Sequence, residues 1–298
     1  MSKQYDLRDS NAYQAWRAQK LSAYPLSITD CMTAIKSAEN PHLSEVQQLK
    51  IQCQNFNFAF YQFVAGDKRA KPAVHHLSAL VGLNDLNNNL CADHDGLTSL
   101  QVTSHIGQHD YIPYTTKPLS WHTDGYYNLP HEQINGMLLH CAQPAIEGGS
   151  SWLMDHEIAY ILLRDANPDF IQALMHPEAF TIPANILNGQ VIRPAQTGAV
   201  FSLTASGHLH MRYSARQRNV SWREDATTQA AAQFLLDLWQ QPSIYKLNYT
   251  LQAGEGLICN NVLHNRTQFT DSDDPALKRL LYRGRYYQRV AEPTTGAG

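Results

Sequence analysis

The pattern of apolar and polar positions changes period several times along the chain. Helix-like stretches "AYQAWRAQKL" and "LSEVQQLKIQCQ" precede a strand-like "FNFAFYQFV" and a further helical pattern, "KPAVHHLSALVGL". Two later helices have readable ends. Asp155 can cap "HEIAYILLRDA", which stops before Asn167-Pro168, and Asp225 stands before "ATTQAAAQFLLDLWQQ", which stops at Pro242. In "YKLNYTL" the period falls to two: Tyr245, Leu247, Tyr249 and Leu251 alternate with Lys246, Asn248 and Thr250, as in a strand with one buried face. The Gly-rich "AGEG" then turns the chain into "LICNNVLHNR", and more strands are expected at "INGMLLHCAQP", "AVFSLT", "HLHMRYS" and "RLLYRGRYY". Many short strands, with helices inserted in the middle and packed outside, predict a mainly β protein with α elements, built as a double-sheet barrel rather than a parallel α/β sheet.

Length and charge narrow the classes. A chain of 298 residues of this pattern predicts one domain over 1–298, with a frayed tail at about 290–298. Lys+Arg 23 against Asp+Glu 26 gives a net charge of -3, with no tract rich in Lys or Arg, so a nucleic-acid partner is not expected. No apolar run suits a signal peptide or a membrane span, which predicts a cytoplasmic protein with no membrane partner. The five cysteines are scattered, without a CxxC pair, so neither a disulfide framework nor a zinc knuckle is indicated. The expected partner is a small molecule, and a homo-oligomer is the one assembly entertained.

Candidate chemistry lies in "SWHTDGYYN". On a strand, residues two apart share a face, so His122 and Asp124 would project together while Trp121 and Thr123 face away. Two His and one carboxylate on one face of an octahedron is the ligand set of non-haem Fe(II) oxygenases. His264, ending the run after "AGEG", is the best third candidate. The H-x-[DE] triplet alone is weak, since another stands at His176-Pro177-Glu178 and adjacent pairs at His94-Asp95, His109-Asp110 and His156-Glu157. In "KRLLYRGRYYQ", Arg279, Leu281, Arg283 and Arg285 would share a strand face. Four residues of strand span about 13 Å, so Arg279 and Arg283 would hold two anionic groups at different depths, unless the strand is an arginine-rich edge facing water. Tyr111, Tyr114, Trp121, Tyr126 and Tyr127 would wall a cavity or fill a core.

Together "WHTD", "LLHCAQPAIEGGSSWLMD", "LHMRYS", "LQAGEGLICNNVLHNR" and "KRLLYR", in this order, resemble the taurine dioxygenase-like (TauD/TfdA) family of Fe(II)/2-oxoglutarate-dependent oxygenases. The likeness runs from about residue 50 to 290, and "LLHC…GG…D" looks nearest the γ-butyrobetaine hydroxylase branch. It implies a double-stranded β-helix, or jelly roll, with helices outside and a helical insertion between the H-x-D motif and the distal His. It implies Fe(II) held by His122, Asp124 and His264, and 2-oxoglutarate held by Arg279 with Ser151 assisting, where the family usually has threonine. O2 is the co-substrate, and succinate and CO2 are released as a C-H bond is oxidised. Arg283 matches a position that some members use for an acidic substrate group. With Tyr126, Tyr127 and Arg212 it completes the candidate substrate contacts, a tyrosine face being suited to a cationic amine. A small acid or zwitterion is the expected substrate. The N-terminal zinc module of eukaryotic carnitine-pathway enzymes has no counterpart here. Two rivals are a cupin-like zinc or nickel hydrolase, which has no use for Arg279, and a silent sensor on the same barrel.

Overall fold

The structure, a computed structural model, describes residues 2–87, 91–103, 111–187 and 189–291. Most of the expected tail and His109-Asp110 lie outside them. The chain groups into two compact units, 25–119 with 134–153 and 247–298, and 1–24 with 120–133 and 154–246.

The first unit is built on a six-stranded sheet in the order Met32–Ile35, Phe58–Phe63, Glu255–Cys259, Gly136–Gln143, Leu280–Tyr286, Thr98–Leu100. Only the first pair is parallel; the others described are antiparallel. One face packs Tyr61, Phe63, Leu138, Ile258, Tyr282 and Tyr286 with the apolar sides of the helices Leu43–Phe56 and Lys71–Leu80. Alternation then sends Leu281 and Arg283 to the other face, opposite Cys141 and Leu139. The strand Leu247–Tyr249 keeps the predicted alternation, with Leu247 and Tyr249 buried and Asn248 exposed, and pairs with Ser151–Met154. The run "LICNNVLHNR" is two strands, Glu255–Cys259 and Leu263–Arg266, not one. Asn261 takes a left-handed φ of 52°, which asparagine tolerates, and its side-chain amide donates to the Ile134 carbonyl at 2.7 Å. This turn delivers His264.

The second unit combines α-helices with short strands. Asp155 caps His156–Ala166 by accepting from the Glu157 amide, and Asp225 caps Ala226–Gln240 by accepting from Thr228. Between them stands a helix the periodicity does not announce, Pro168–Leu174, with Pro168 in its first turn and Asn167 as cap. Small sheets follow, including the hairpin Asn185–Leu187/Gln190–Arg193 and the pair Phe201–Leu203/Leu209–Met211. No helix of the described residues is long and apolar enough to cross a membrane.

The N-terminal helix Ser10–Ala23 is held by a buried charge cluster, in which the Lys20 ammonium lies 2.6 Å from Asp155 and 2.5 Å from Glu157. Burial alone would raise the Glu157 carboxyl, but the Lys20 charge outweighs it and the Tyr5 hydroxyl adds a hydrogen bond, holding it at about 2. Lys20→Met strands two buried carboxylates and should cost about 3–5 kcal/mol in urea unfolding; a loss below about 1 kcal/mol would contradict the arrangement. A depressed carboxyl stabilises the fold above its ordinary value of 4.5 and loses that contribution as pH falls towards 2. Unfolding free energy should therefore drop across that window, and drop less in Lys20→Met.

Candidate active site

The strand ending at His122 runs antiparallel to the segment after Met211. The Thr123 amide donates to the Tyr213 carbonyl at 3.0 Å, the Ala215 amide to the Trp121 carbonyl at 2.8 Å, and His122 stands opposite Ser214. Trp121 stacks on Trp239 at 4.8 Å and Thr123 is fully buried, its hydroxyl accepting from the Tyr213 amide. Both point away from the face of His122, as predicted. The regular strand stops at His122, and Asp124 opens a turn with Gly125 at φ 67°. Its carboxylate lies 3.5 Å from His122 Nε2.

His122 and Asp124, of the 1–24, 120–133 and 154–246 unit, offer an imidazole nitrogen and a carboxylate oxygen, and His264, of the other unit, offers a second imidazole. Both imidazoles are orientated in the same way. His122 Nδ1 lies 2.8 Å from the Ser120 carbonyl, and His264 Nδ1 lies 3.0 Å from the Val262 carbonyl. A carbonyl only accepts, so each Nδ1 carries the proton and each Nε2 keeps its lone pair for a metal. The donor set thus fits a divalent iron. His140 shows the contrast: Tyr61 and the Lys68 carbonyl take its two nitrogens, and burial pushes it below the usual imidazole range, as for a neutral core histidine.

The 25–119, 134–153 and 247–298 unit also holds a narrow pocket lined by Cys141, Gly149, Ser151, Tyr249, Arg279 and Leu281 among others. Gly148 and Gly149, both left-handed, let the chain pass close to the 268–269 backbone; a Cβ at Gly148 would meet the Gln268 carbonyl at 2.5 Å. Ser151 lies opposite Tyr249 across the strands, and their hydroxyls interact. Arg279 is 6% exposed and lies 4.8 Å over the Phe269 ring. Its backbone amide donates to Asp271, while its guanidinium forms no ion pair or hydrogen bond among the described residues. Desolvation lowers that guanidinium below its ordinary range. Arg266, also buried, donates to the Thr115 and Lys117 carbonyls, and desolvation and the Arg279 charge bring it down to about 9.

Residues 74–284 match the family described as taurine catabolism dioxygenase TauD, TfdA family. The chain belongs to this family. Two curated relatives are uridine-5'-phosphate dioxygenases. One, from Streptomyces sp, is 29% identical over 215 residues, covering 69% of this chain and 74% of the relative. The other, from Amycolatopsis sp, is 31% identical over 180 residues, covering 56% and 62%. Among solved structures, asparagine oxygenase in complex with Fe(II), 2S,3S-3-hydroxyasparagine and succinate shares the fold with TM-score 0.60 and 15% identity, over 82% of this chain and 78% of that one. The non-heme iron oxygenase OrfP in complex with Fe, succinate and (3R,4R)-dihydroxy-L-Arg shares it at 0.58 and 14%, over 82% and 80%. This TauD/TfdA protein is an Fe(II)- and 2-oxoglutarate-dependent dioxygenase of a small molecule.

The remaining candidate contacts of this TauD/TfdA protein divide. Tyr126 stands edge-on to His122 at 6.3 Å and to Tyr127 at 5.1 Å. Of the two tyrosines offered for a substrate amine, Tyr127 carries the protein's own Arg193 over its ring, at 5.6 Å. The expectation for Arg212 is corrected. Its guanidinium donates to the Ala199, Tyr126, Gln196, Phe180 and Gly198 carbonyls, which engages all five N–H groups. It positions the Tyr126 backbone instead of offering a hand to substrate. Arg283 is half-buried, opposite Leu139. Sequence reasoning missed Tyr249, Phe269 and Arg193. Tyr249 was legible only as a buried strand position, and nothing local marks the other two.

Proposed function

We propose that His122 and His264 through Nε2, and Asp124 through a carboxylate oxygen, hold Fe(II), and that Arg279 with Ser151 holds the far carboxylate of 2-oxoglutarate. The substrate is a small acidic or zwitterionic metabolite. The observation that carries this reading is the Arg279 guanidinium, buried in a pocket with no ion pair among the described residues. A buried cation needs an anion, and a metal hydrolase using the same trio would not.

When bound, iron and 2-oxoglutarate supply O2 activation and C-H oxidation, with succinate and CO2 as co-products. The chain's own residues position. The Nδ1 bonds to Ser120 and Val262 fix the imidazole rings. Burial raises the Tyr249 phenol above its ordinary range, so it stays protonated beside Ser151 and can donate to a carboxylate. Arg283 is proposed as a contact for an acidic substrate group. The family match runs through segments of both units, which supports the reading of one dioxygenase domain with a double-stranded β-helix core. The relatives named for uridine 5'-phosphate favour the acidic side of the reading over a betaine.

The test is a panel of small acids, zwitterions and neutral analogues scored by substrate-dependent succinate release. Anionic compounds should stimulate release, and Arg283→Ala should weaken the response. Preference for neutral compounds would contradict the substrate class, and indifference to Arg283→Ala would remove that contact.

A further inference from the structure

Between Glu178 and Glu224 the chain carries five arginines, at 193, 212, 216, 218 and 223, and no carboxylate. So long a one-sign stretch is usually a solvated face, but here two of its members are placed beside the H-x-D motif of the same unit. Arg193 ends the hairpin strand Gln190–Arg193, with its guanidinium over Tyr127, which packs on Tyr126, which packs on His122. Ser214 stands opposite His122 in an isolated antiparallel bridge and its hydroxyl interacts with Tyr126, and the charge of Arg216, the exposed residue that opens the one-turn helix Gln217–Asn219, acts on the same phenol as that of Arg193 does.

Neither cation is neutralised. Arg193 donates to the Pro183 and Pro194 carbonyls, two of its five N–H groups, and is only half-exposed. Among the described residues neither Arg193 nor Arg216 forms an ion pair, whereas Arg223, farther along, lies 3.6 Å from Asp225. Desolvation lowers the Arg193 guanidinium, in keeping with a charge held at a partly dry rim. Arg212, on the same stretch, is fully engaged by main chain and fixes the Tyr126 backbone between them.

We propose that Arg193 and Arg216 form the recognition site for a phosphate monoester on the primary substrate. Two guanidiniums suit a dianion with three acceptor oxygens better than a single carboxylate, because each can give two parallel hydrogen bonds. The Tyr126 and Tyr127 rings, edge-on to one another between the cations and His122, offer an apolar wall for the body of the substrate, which places its phosphate at the rim and a C-H bond towards His122 and Asp124. The inference rests on the dioxygenase reading above and adds a substrate class to it.

The experiment uses protein loaded anaerobically with Fe(II) and 2-oxoglutarate, titrated calorimetrically with uridine 5'-monophosphate, ribose 5-phosphate, glycerol phosphate and the unphosphorylated form of each. At least one phosphate ester should bind about 10-fold or more tightly than its unphosphorylated form, and Arg193→Gln and Arg216→Gln should each remove most of that difference. Arg223→Gln, whose arginine already faces Asp225, should leave it unchanged. The visible charge-transfer band of bound 2-oxoglutarate, recorded on every variant, separates the two readings. Loss of the band in the parent protein sinks the dioxygenase assignment of the site. An intact band with no binding of any phosphate ester, with equal affinity for both forms, or with no effect of Arg193→Gln and Arg216→Gln, overturns the phosphate site alone.

Discussion

Asp124→Ala is expected to abolish coupled turnover, with succinate formation falling by at least about 100-fold and Fe(II) binding weakened in parallel. Asp124 is the one anionic donor of the trio, and its carboxylate sits 3.5 Å from His122 Nε2. Truncation leaves two neutral imidazoles, which offset none of the charge of a divalent ion. The strand ending at His122 is held independently by main-chain bonds to Tyr213 and Ala215 and by the Trp121–Trp239 stack, so the fold should survive. The checks are bound iron per chain and succinate release, with urea unfolding as the folding control. A folded Asp124→Ala protein that forms succinate at the parent rate would remove Asp124 from the site.

The second large effect is on the co-substrate. Arg279→Ala should raise the apparent KM for 2-oxoglutarate by one to a few orders of magnitude, since truncating one partner of a buried charge pair costs about 2–5 kcal/mol. The structure adds a reason for the size of the effect. Arg279 is buried over Phe269, in a pocket lined by Cys141, Tyr249 and Leu281, so water cannot replace the guanidinium at full strength. Ser151→Ala should cost only about 0.5–1.5 kcal/mol, one neutral hydrogen bond, because Tyr249 remains beside the site. Steady-state kinetics at varied 2-oxoglutarate checks both. A defect confined to kcat in Arg279→Ala, with KM unchanged, would place the anchor elsewhere.

What could be read from the sequence was mostly local. The caps Asp155 and Asp225 act on amides two or three residues away, so their helices begin where the pattern says. The alternation of Leu247, Asn248 and Tyr249 needs only one buried face to be true. His122 and Asp124 share a spacing that brings them together in a strand or in the turn that follows it. Apart from the short, locally capped helix Pro168–Leu174, the misses depend on partners distant in the chain. The break at Asn260-Asn261 is set by hydrogen bonds to Asn57 and Ile134, more than 100 residues away. Arg212 looks like any strand arginine until the carbonyls of Phe180, Gln196, Gly198 and Ala199 gather round it. Arg193 looks like the exposed end of a hairpin until Tyr127 is found beneath it.

The central claim, that His122, Asp124 and His264 hold iron beside an anchored 2-oxoglutarate, is tested most directly by absorption spectroscopy. Fe(II) and 2-oxoglutarate are added anaerobically to the parent protein and to Asp124→Ala. The account predicts a weak visible charge-transfer band in the parent, saturating at one Fe(II) per chain and requiring both reagents, and no band in Asp124→Ala. A parent protein that gives no band with both reagents present, or a band of equal strength in Asp124→Ala, would contradict it.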